Sequence, residues 1–287
     1  MKTPTNINGN NLAVWLTTAT EIRMADLYSI TANGVTLRYT TWESNLIVGG
    51  NTFLAGPPNF RRAAIEEKIG MDTTTLDLTI EASSSDLISG VPILQRVVLG
   101  QFDGATVRID RLFMDSSGQQ IGTVIRFSGF MGALDELGRA HAKFQVESLV
   151  NRLQMDLPHM LIQPGCVHTL FDAGCTLNAA SFAESNTVQS GSTVNTIISV
   201  SAKADSYYDN GRIVFTSGAN NGLTKAVRLY ASQVFTFNSP LPFSPTASDT
   251  FTAYPGCDKT QATCTTKFSN LVNFGGFPYV PVPETAI

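Results

Sequence analysis

Charge is scarce in this chain of 287 residues. Asp, Glu, Lys and Arg together make up 15%, and the formal net charge is −4. Without a basic excess there is no electrostatic footprint for a nucleic acid. Histidine is scarcer, at three residues, and none stands in a pattern that suggests a hydrolytic triad. No Gly-rich phosphate-binding loop of either common type appears. No apolar run approaches the length needed to span a bilayer as a helix, so stable membrane insertion is not expected. The opening stretch "MKTPTNINGNNLAVWL" lacks the continuous apolar core and small-residue cleavage site of a secretory signal. Synthesis in a reducing cytosol is therefore expected, where cysteine pairs are more often metal ligands or redox groups than disulfides. Cysteine itself is rare, with four in the whole chain. No enzyme chemistry is expected.

What is present is Thr, Ser, Asn and Gly in quantity, with enough apolar residues to build a core at this length. The pattern is mainly β. Residues 10–18 predict one short helix. "ADLYSITANGVTLRYT" reads as a hairpin through Asn33-Gly34, and "NLIVGGNTF" as another across Gly49-Gly50. "TLDLTIEA" places Leu76, Leu78 and Ile80 on one face. In "ATVRIDRLF", Val107, Ile109 and Phe113 share a face that Arg111 interrupts, while Leu112 points the other way. "KFQVES" sets Phe144 and Val146 against Lys143, Gln145 and Glu147. Such alternation predicts sheets with one buried and one wet face. "DLISGVPILQRVVLGQFDG" is expected to be a helical interruption. Residues 1–155 thus read as one β-barrel or sandwich domain, and residues 156–287 as a second domain.

The second domain carries the cysteines. "PGCVHTLFDAGC" holds Cys166 and Cys175, and "PGCDKTQATC", some ninety residues later, holds Cys257 and Cys264 behind the same Pro-Gly-Cys lead. Between them lies a β-patterned insertion, about 180–254, long enough for a small barrel whose ends must meet if the two pairs meet. Four thiolates suffice for a [2Fe–2S] or [4Fe–4S] cluster or for one tetrahedral zinc. C-x8-C and C-x6-C loops are longer than the tight spacings of structural zinc and suit a bulkier centre. Gly165, Gly174 and Gly256 are expected to allow close backbone approach and φ > 0 where the turns need it. Buried free cysteines, or two disulfides, are the plainer readings.

The cysteine framework, together with "NGRIVFTSGANNGLTKAVRLY" and a final cysteine followed nine residues later by "FGGFPYVP", resembles the tail-tip hub proteins of phages and gene transfer agents, including the lambda-like siphophage tail-tip proteins. The first half resembles the same family more loosely, through "VTLRYTTWESNLIVGGNTF" and "LGQFDGATVRIDRLF". The resemblance implies a structural protein of the virion tail tip, made and assembled in the host cytoplasm. It implies a hub or tube-end domain followed by a cysteine domain in which Cys166, Cys175, Cys257 and Cys264 hold an iron–sulfur cluster, [4Fe–4S] before zinc. It further implies a homotrimeric ring whose neighbours are a distal tail or tube-end protein, a central fibre or receptor-binding protein and the tape measure, with DNA only passing through the lumen. Two alternatives remain at this stage: a cytosolic iron–sulfur redox protein, and a zinc-stapled carbohydrate-binding module of the tail tip.

His168, two residues past Cys166, is expected beside the site and not as a ligand. His141 and His159 have no triad partners, and a Cys166 hydrolase using His159 or His168 is disfavoured. Glu66-Glu67 and Asp135-Glu136 read as solvated faces. The tail from residue 270 to 287 reads as an extended arm, with Phe274, Phe277 and Tyr279 either covering the cysteine site or an open edge, or anchoring a neighbour.

Overall fold

A computed structural model describes residues 3–65, 75–88, 90–153 and 162–280. Glu66-Glu67, His159 and the last seven residues of the arm lie outside these. The chain divides into two compact units, Met1–Met155 and Asp156–Ile287. Both are β, and each is built on an antiparallel sheet curled into a half-barrel.

In the first unit the strands are β1 (Thr5–Asn6), β2 (Arg23–Ala32), β3 (Val35–Thr40), β4 (Leu46–Val48), β5 (Asn51–Phe53), β6 (Asn59–Arg62), β7 (Thr75–Glu81), β8 (Leu87–Ile88), β9 (Val91–Pro92), β10 (Thr106–Met114), β11 (Gln120–Leu137) and β12 (His141–Ser148). The main sheet runs β3-β2-β10-β11-β12-β7-β6, with β1 added beside β11. Helix α1 (Leu12–Thr18) starts where the Asn11 side chain accepts the N–H groups of Ala13 and Val14. The β2–β3 hairpin turns through Asn33 and Gly34, both left-handed (φ 49° and 79°), and β4–β5 turns through Gly49 and Gly50 in the same way. Two successive left-handed residues match the twist of the flanking strands. The expected helical interruption is shorter than predicted. Helix α2 covers only Ile93–Val98, and the two-residue strands β8 and β9 precede it.

Two apolar clusters occupy opposite faces of this sheet. Tyr28, Ile30, Leu76, Leu78, Ile80, Val107, Ile109, Phe144 and Val146 fill the concave core. Ala25, Leu27, Leu112 and Met114 form a second cluster with Leu46, Val48 and Phe53 of the β4–β5 hairpin. This explains the uneven alternation of β10: Leu112 is buried, but under the hairpin. Arg111 turns inward to Asp26 (Nε–Oδ1 2.9 Å), which also takes Arg62 of β6 (2.7 Å). β3 and β6 are the two ends of the sheet path, yet the rings of Tyr39 and Phe60 stack 4.8 Å apart. The curl is thus fastened by a ring stack and by a carboxylate shared between two guanidiniums. Burial, reinforced by the charge of Asp26, pushes the Tyr28 hydroxyl up to about 12.

The 18-residue strand β11 is the element the sequence pattern conceals. Gly129 and Gly132 interrupt its alternation because β12 passes too close for a side chain. A Cβ at Gly129 would sit 2.0 Å from the Glu147 carbonyl oxygen, and one at Gly132 2.9 Å from that of Gln145. Register shifts on either side of Leu134 blur it further.

In the second unit a six-stranded sheet runs β13-β18-β15-β16-β17-β14, with β13 (Glu184–Thr187), β14 (Thr196–Ile198), β15 (Arg212–Phe215), β16 (Thr224–Ala231), β17 (Val234–Phe237) and β18 (Thr250–Tyr254). Its core is aromatic: Tyr208, Phe215, Tyr230, Phe235 and Phe251 are each 1% exposed or less. The first and last strands, β13 and β18, pair with each other from Glu184↔Ala253 to Thr187↔Thr250. The ends of the insertion are therefore adjacent, and the chain enters and leaves the sheet beside the cysteine segments.

Candidate functional site

Neither cysteine pair sits on a sheet, so side chains must organise the backbone. In the first loop the Asp172 carboxylate accepts the N–H groups of Thr169 (2.7 Å), Gly174 (2.9 Å) and Cys175 (2.6 Å). These bonds, the one from Cys175 foremost, hold its carboxyl below the usual carboxylate range. They fold eight residues into one bend that turns Cys175 back toward Cys166. In the second loop Asp258 accepts the amide and hydroxyl of Thr260 and the hydroxyl of Thr263. Burial tends to raise the Asp258 carboxyl, but these hydrogen bonds prevail and it lies below its ordinary value. Thr260 then caps α3 (Gln261–Thr266) by accepting the N–H of Thr263, and α3 carries the buried Cys264 inward.

The two loops are tied across the sequence. The amide of Cys166 donates to the carbonyl of Lys259 (2.9 Å), and the Lys259 ammonium donates to the carbonyl of His168. Asn270, 8% exposed, donates its side-chain amide to the Cys175 carbonyl (2.6 Å), while its backbone N–H bonds the Cys264 carbonyl (3.0 Å). One asparagine thus joins a cysteine of each pair. All four cysteines line a single pocket, closed by Leu170, Leu177, Phe268 and Phe274, with His168 at its wall.

The sulfurs have donors of their own. The Gly275 amide points at Cys166 Sγ (3.4 Å), the Lys259 amide at Cys257 Sγ (3.4 Å) and the Asn270 side-chain amide at Cys175 Sγ (3.8 Å). Cys264 instead donates its thiol to the Asn270 carbonyl (3.3 Å). Burial, with the nearby Cys166, Cys257 and Cys175, pushes the Cys264 thiol up. All four are free thiols, which sets aside the disulfide reading for this structure. Among the described residues, no three His, Cys, Asp or Glu side chains are drawn together tightly enough to hold one metal ion. The four cysteines line one pocket without forming a close-set group of metal ligands.

Positive charge lies beside them. Lys267 donates to the carbonyls of Tyr207 (2.5 Å) and Gly256 (2.8 Å) and lies 4.6 Å from the centre of the Tyr207 ring. Burial lowers the pKa of its ammonium, against the opposing pull of Cys257, Asp209 and Asp258.

The glycines work differently from expectation. None of Gly165, Gly174 and Gly256 is left-handed; the residues that are include Phe171, Thr176, Lys259 and Ser269, with φ from 50° to 71°. Non-glycine residues held there mark a backbone constrained by its surroundings. Phe171, for one, packs its ring on Phe182 and Tyr254. Gly256 is required for space: a Cβ would lie 1.8 Å from the Asp209 carbonyl oxygen. At Gly165 the same atom would meet nothing nearer than 3.8 Å, so the two Pro-Gly-Cys hooks are alike in sequence and unlike in constraint. Gly174 and Gly275 flank the His168 ring, where added Cβ atoms would come within 2.2 Å and 2.5 Å of it.

Of the arm's aromatics, only Phe274 lines the pocket. Phe277 is 47% exposed and Tyr279 92% exposed, so neither covers the site. The arm is anchored by backbone, the Phe277 amide donating to the Gln163 carbonyl (2.9 Å), and a short 3₁₀ turn at Leu271–Asn273 precedes its extended part. His141 belongs to the first unit, where it meets Glu136 at 3.1 Å on the surface. Asp135 and Glu136 are exposed. Asn270, Lys259, Lys267 and Asp172 were not singled out from sequence. The D-x-G turn of Asp172 and the D-x-T cap of Asp258 are readable signals, whereas Asn270 and Lys267 act over distances that no local pattern records.

A family model described as "Baseplate hub protein, N-terminal attachment domain" matches residues 10–178, and one described as "Phage conserved hypothetical protein BR0599" matches residues 206–284. No curated protein matches the chain. Among solved structures, a chain of the virion of a native gene transfer agent particle shares the fold, with a TM-score of 0.77, 22% identity, and coverage of 96% of this chain and 93% of that one.

Proposed function

Since the chain belongs to the baseplate hub protein family, a family of structural virion components and not of enzymes, we propose that it forms a trimeric ring at a siphophage tail tip and carries an iron–sulfur cluster on Cys166, Cys175, Cys257 and Cys264. The observation that carries the cluster is the convergence of two cysteine pairs, some ninety residues apart in sequence, on one pocket with amide donors aimed at three of the sulfurs. Hydrogen bonds to sulfur are one of the means by which proteins stabilise iron–sulfur centres. Four thiolates match the ligand count of a multi-iron core, preferably [4Fe–4S], and the C-x8-C and C-x6-C loops are longer than the tight spacings usual for a single structural zinc. Lys259 and Lys267 offset part of the negative charge that four thiolates bring.

Bound there, the cluster supplies a covalent cross-link. The protein's own residues do the rest: Asp172 and Asp258 shape the loops, Asn270 joins them, and Phe274 and Phe268 keep the site dry. Fastening the segments around Cys166 and Cys264 removes unfolded-chain entropy worth about 4–5 kcal/mol for a loop near 100 residues, by the reasoning that applies to disulfides. It does so in a compartment where disulfides do not persist. The ring, by the same proposal, sits between a distal tail protein and a central fibre, with the tape measure and DNA passing through. A closed ring of identical head-to-tail contacts is the economical way to build a pore.

The test is composition. Protein purified without oxygen should hold iron and acid-labile sulfide in equal amounts, near four of each per chain, and migrate as a trimer. One zinc per chain and no sulfide would replace the cluster with a zinc staple. A monomer would remove the ring.

A further inference from the structure

The convex face of the first unit carries a second pocket, unrelated to the cysteines. It has a volume of about 260 Å³ and lies between the β4–β5 hairpin, which contributes Val48, Asn51 and Phe53, and the strands β2, β3, β10 and β11 beneath. Its floor is a cross-strand row. Arg38 of β3 is the register partner of Ser29 on β2, and Ser29 is in turn the partner of Arg108 on β10. Adjacent strands lie about 4.8 Å apart, which sets the two arginine backbones about 10 Å from each other.

The two guanidiniums are not equivalent. Arg108 is committed to Asp110, with Nε at 2.8 Å from one carboxylate oxygen and Nη2 at 3.0 Å from the other. Asp110 is itself 7% exposed. Arg38 has no side-chain hydrogen bond or ion pair among the described residues, although it lines the same pocket. The pocket thus holds one uncompensated positive charge, surrounded by the hydroxyls of Ser29 and Thr123 and the amide of Asn51.

We infer that this pocket receives the carboxylate of an Asp, a Glu or a chain terminus from a neighbouring tail protein, with Arg38 as the residue that binds it. Three features favour that ligand. The volume falls just below the roughly 300–1,000 Å³ of small-molecule sites, and suits one inserted side chain. A guanidinium presents paired donors that match a planar carboxylate. The fixed charge of Asp110 leaves room for one negative charge and works against a doubly charged phosphate. The chain as a whole is acidic, so a free arginine in a formed pocket is a selective feature of its surface and not part of a general basic patch. The inference takes its partner from the tail-tip reading, rests otherwise on this pocket, and is independent of the cysteine centre.

The test uses the full-length protein labelled at arginine nitrogen, with the Arg38 Nε–H signal assigned by its loss in Arg38→Gln. Butyrate serves as the probe, being a glutamate side chain with its Cα as a terminal methyl. The expected result is a saturable shift of the Arg38 signal by butyrate at constant ionic strength. Arg38→Gln should weaken butyrate binding at least about tenfold, as loss of a charge-assisted hydrogen bond implies, and Arg38→Lys less. A shift that grows linearly and is matched by chloride would overturn the proposal. So would tighter binding of inorganic phosphate or of a short DNA duplex, which would assign the pocket to phosphate, or butyrate binding unchanged in Arg38→Gln.

Discussion

The two units of this protein are held in different ways. In the first, backbone ladders do most of the work: eight strands share one sheet, each face buries its own apolar cluster, and side-chain polar contacts enter mainly where the curl is fastened at Asp26. Around the cysteines of the second unit there is no ladder. Carboxylates, one asparagine and two lysines position irregular backbone, several of whose residues are left-handed without being glycine. A sheet tolerates the loss of one contact because neighbouring contacts are redundant. A site assembled from single hydrogen bonds is not redundant, and the proposed cluster would supply the covalent tie that such a site lacks.

Cys257→Ser should cost the second unit about 4 kcal/mol, the bulk of the loop-closure contribution. The loss should appear as faster hydrogen exchange at residues 162–178 and 255–276, with the first unit's strands unaffected. Asp26→Asn should be next, at about 3 kcal/mol, because it leaves two partly buried guanidiniums facing an uncharged amide. Its signature is early exchange in β2, β6 and β10, and a wild-type melting curve for Asp26→Asn would remove the fastening role. Gly256→Ala should then cost about 2–3 kcal/mol, since a Cβ placed 1.8 Å from a carbonyl oxygen forces the backbone to move. Gly165→Ala should change stability by less than about 0.5 kcal/mol. Equal effects at the two glycines would mean that the hooks are alike after all.

A further effect is confined to high pH. Tyr28 has its hydroxyl raised to about 12 in the fold, against about 10 when unfolded. The folded state therefore holds this proton more tightly. Its contribution is fully present below pH 10 and is lost as pH rises from 10 toward 12. Denaturant midpoints measured across that window should fall less steeply for Tyr28→Phe than for the parent.

Local rules made much of the fold legible. Asn33-Gly34 and Gly49-Gly50 announced their hairpins because only left-handed residues close such turns, and Leu76, Leu78 and Ile80 announced a buried face by simple alternation. β11 stayed hidden because Gly129 and Gly132 answer to the neighbouring strand and not to any pattern of their own. Arg111 looked like an error in β10 until Asp26 and Arg62 gave it partners from two other strands. At the site, the four cysteines could be read directly, as rare residues in matched settings. Asn270 and Lys267 could not, since their partners are a carbonyl 95 residues away and one 60 residues away. Gly165 and Gly256 show the limit most plainly: the same three-residue motif, one copy sterically required and the other not.

The proposed iron–sulfur centre on the four cysteines would join two distant segments. Its most direct test is the visible absorption spectrum of the protein purified without oxygen, taken beside those of the Cys166→Ser, Cys175→Ser, Cys257→Ser and Cys264→Ser variants. A broad brown absorption is expected in the parent, lost or sharply reduced in each of the four variants. A colourless parent, prepared from cells with active cluster assembly, would contradict the proposed centre.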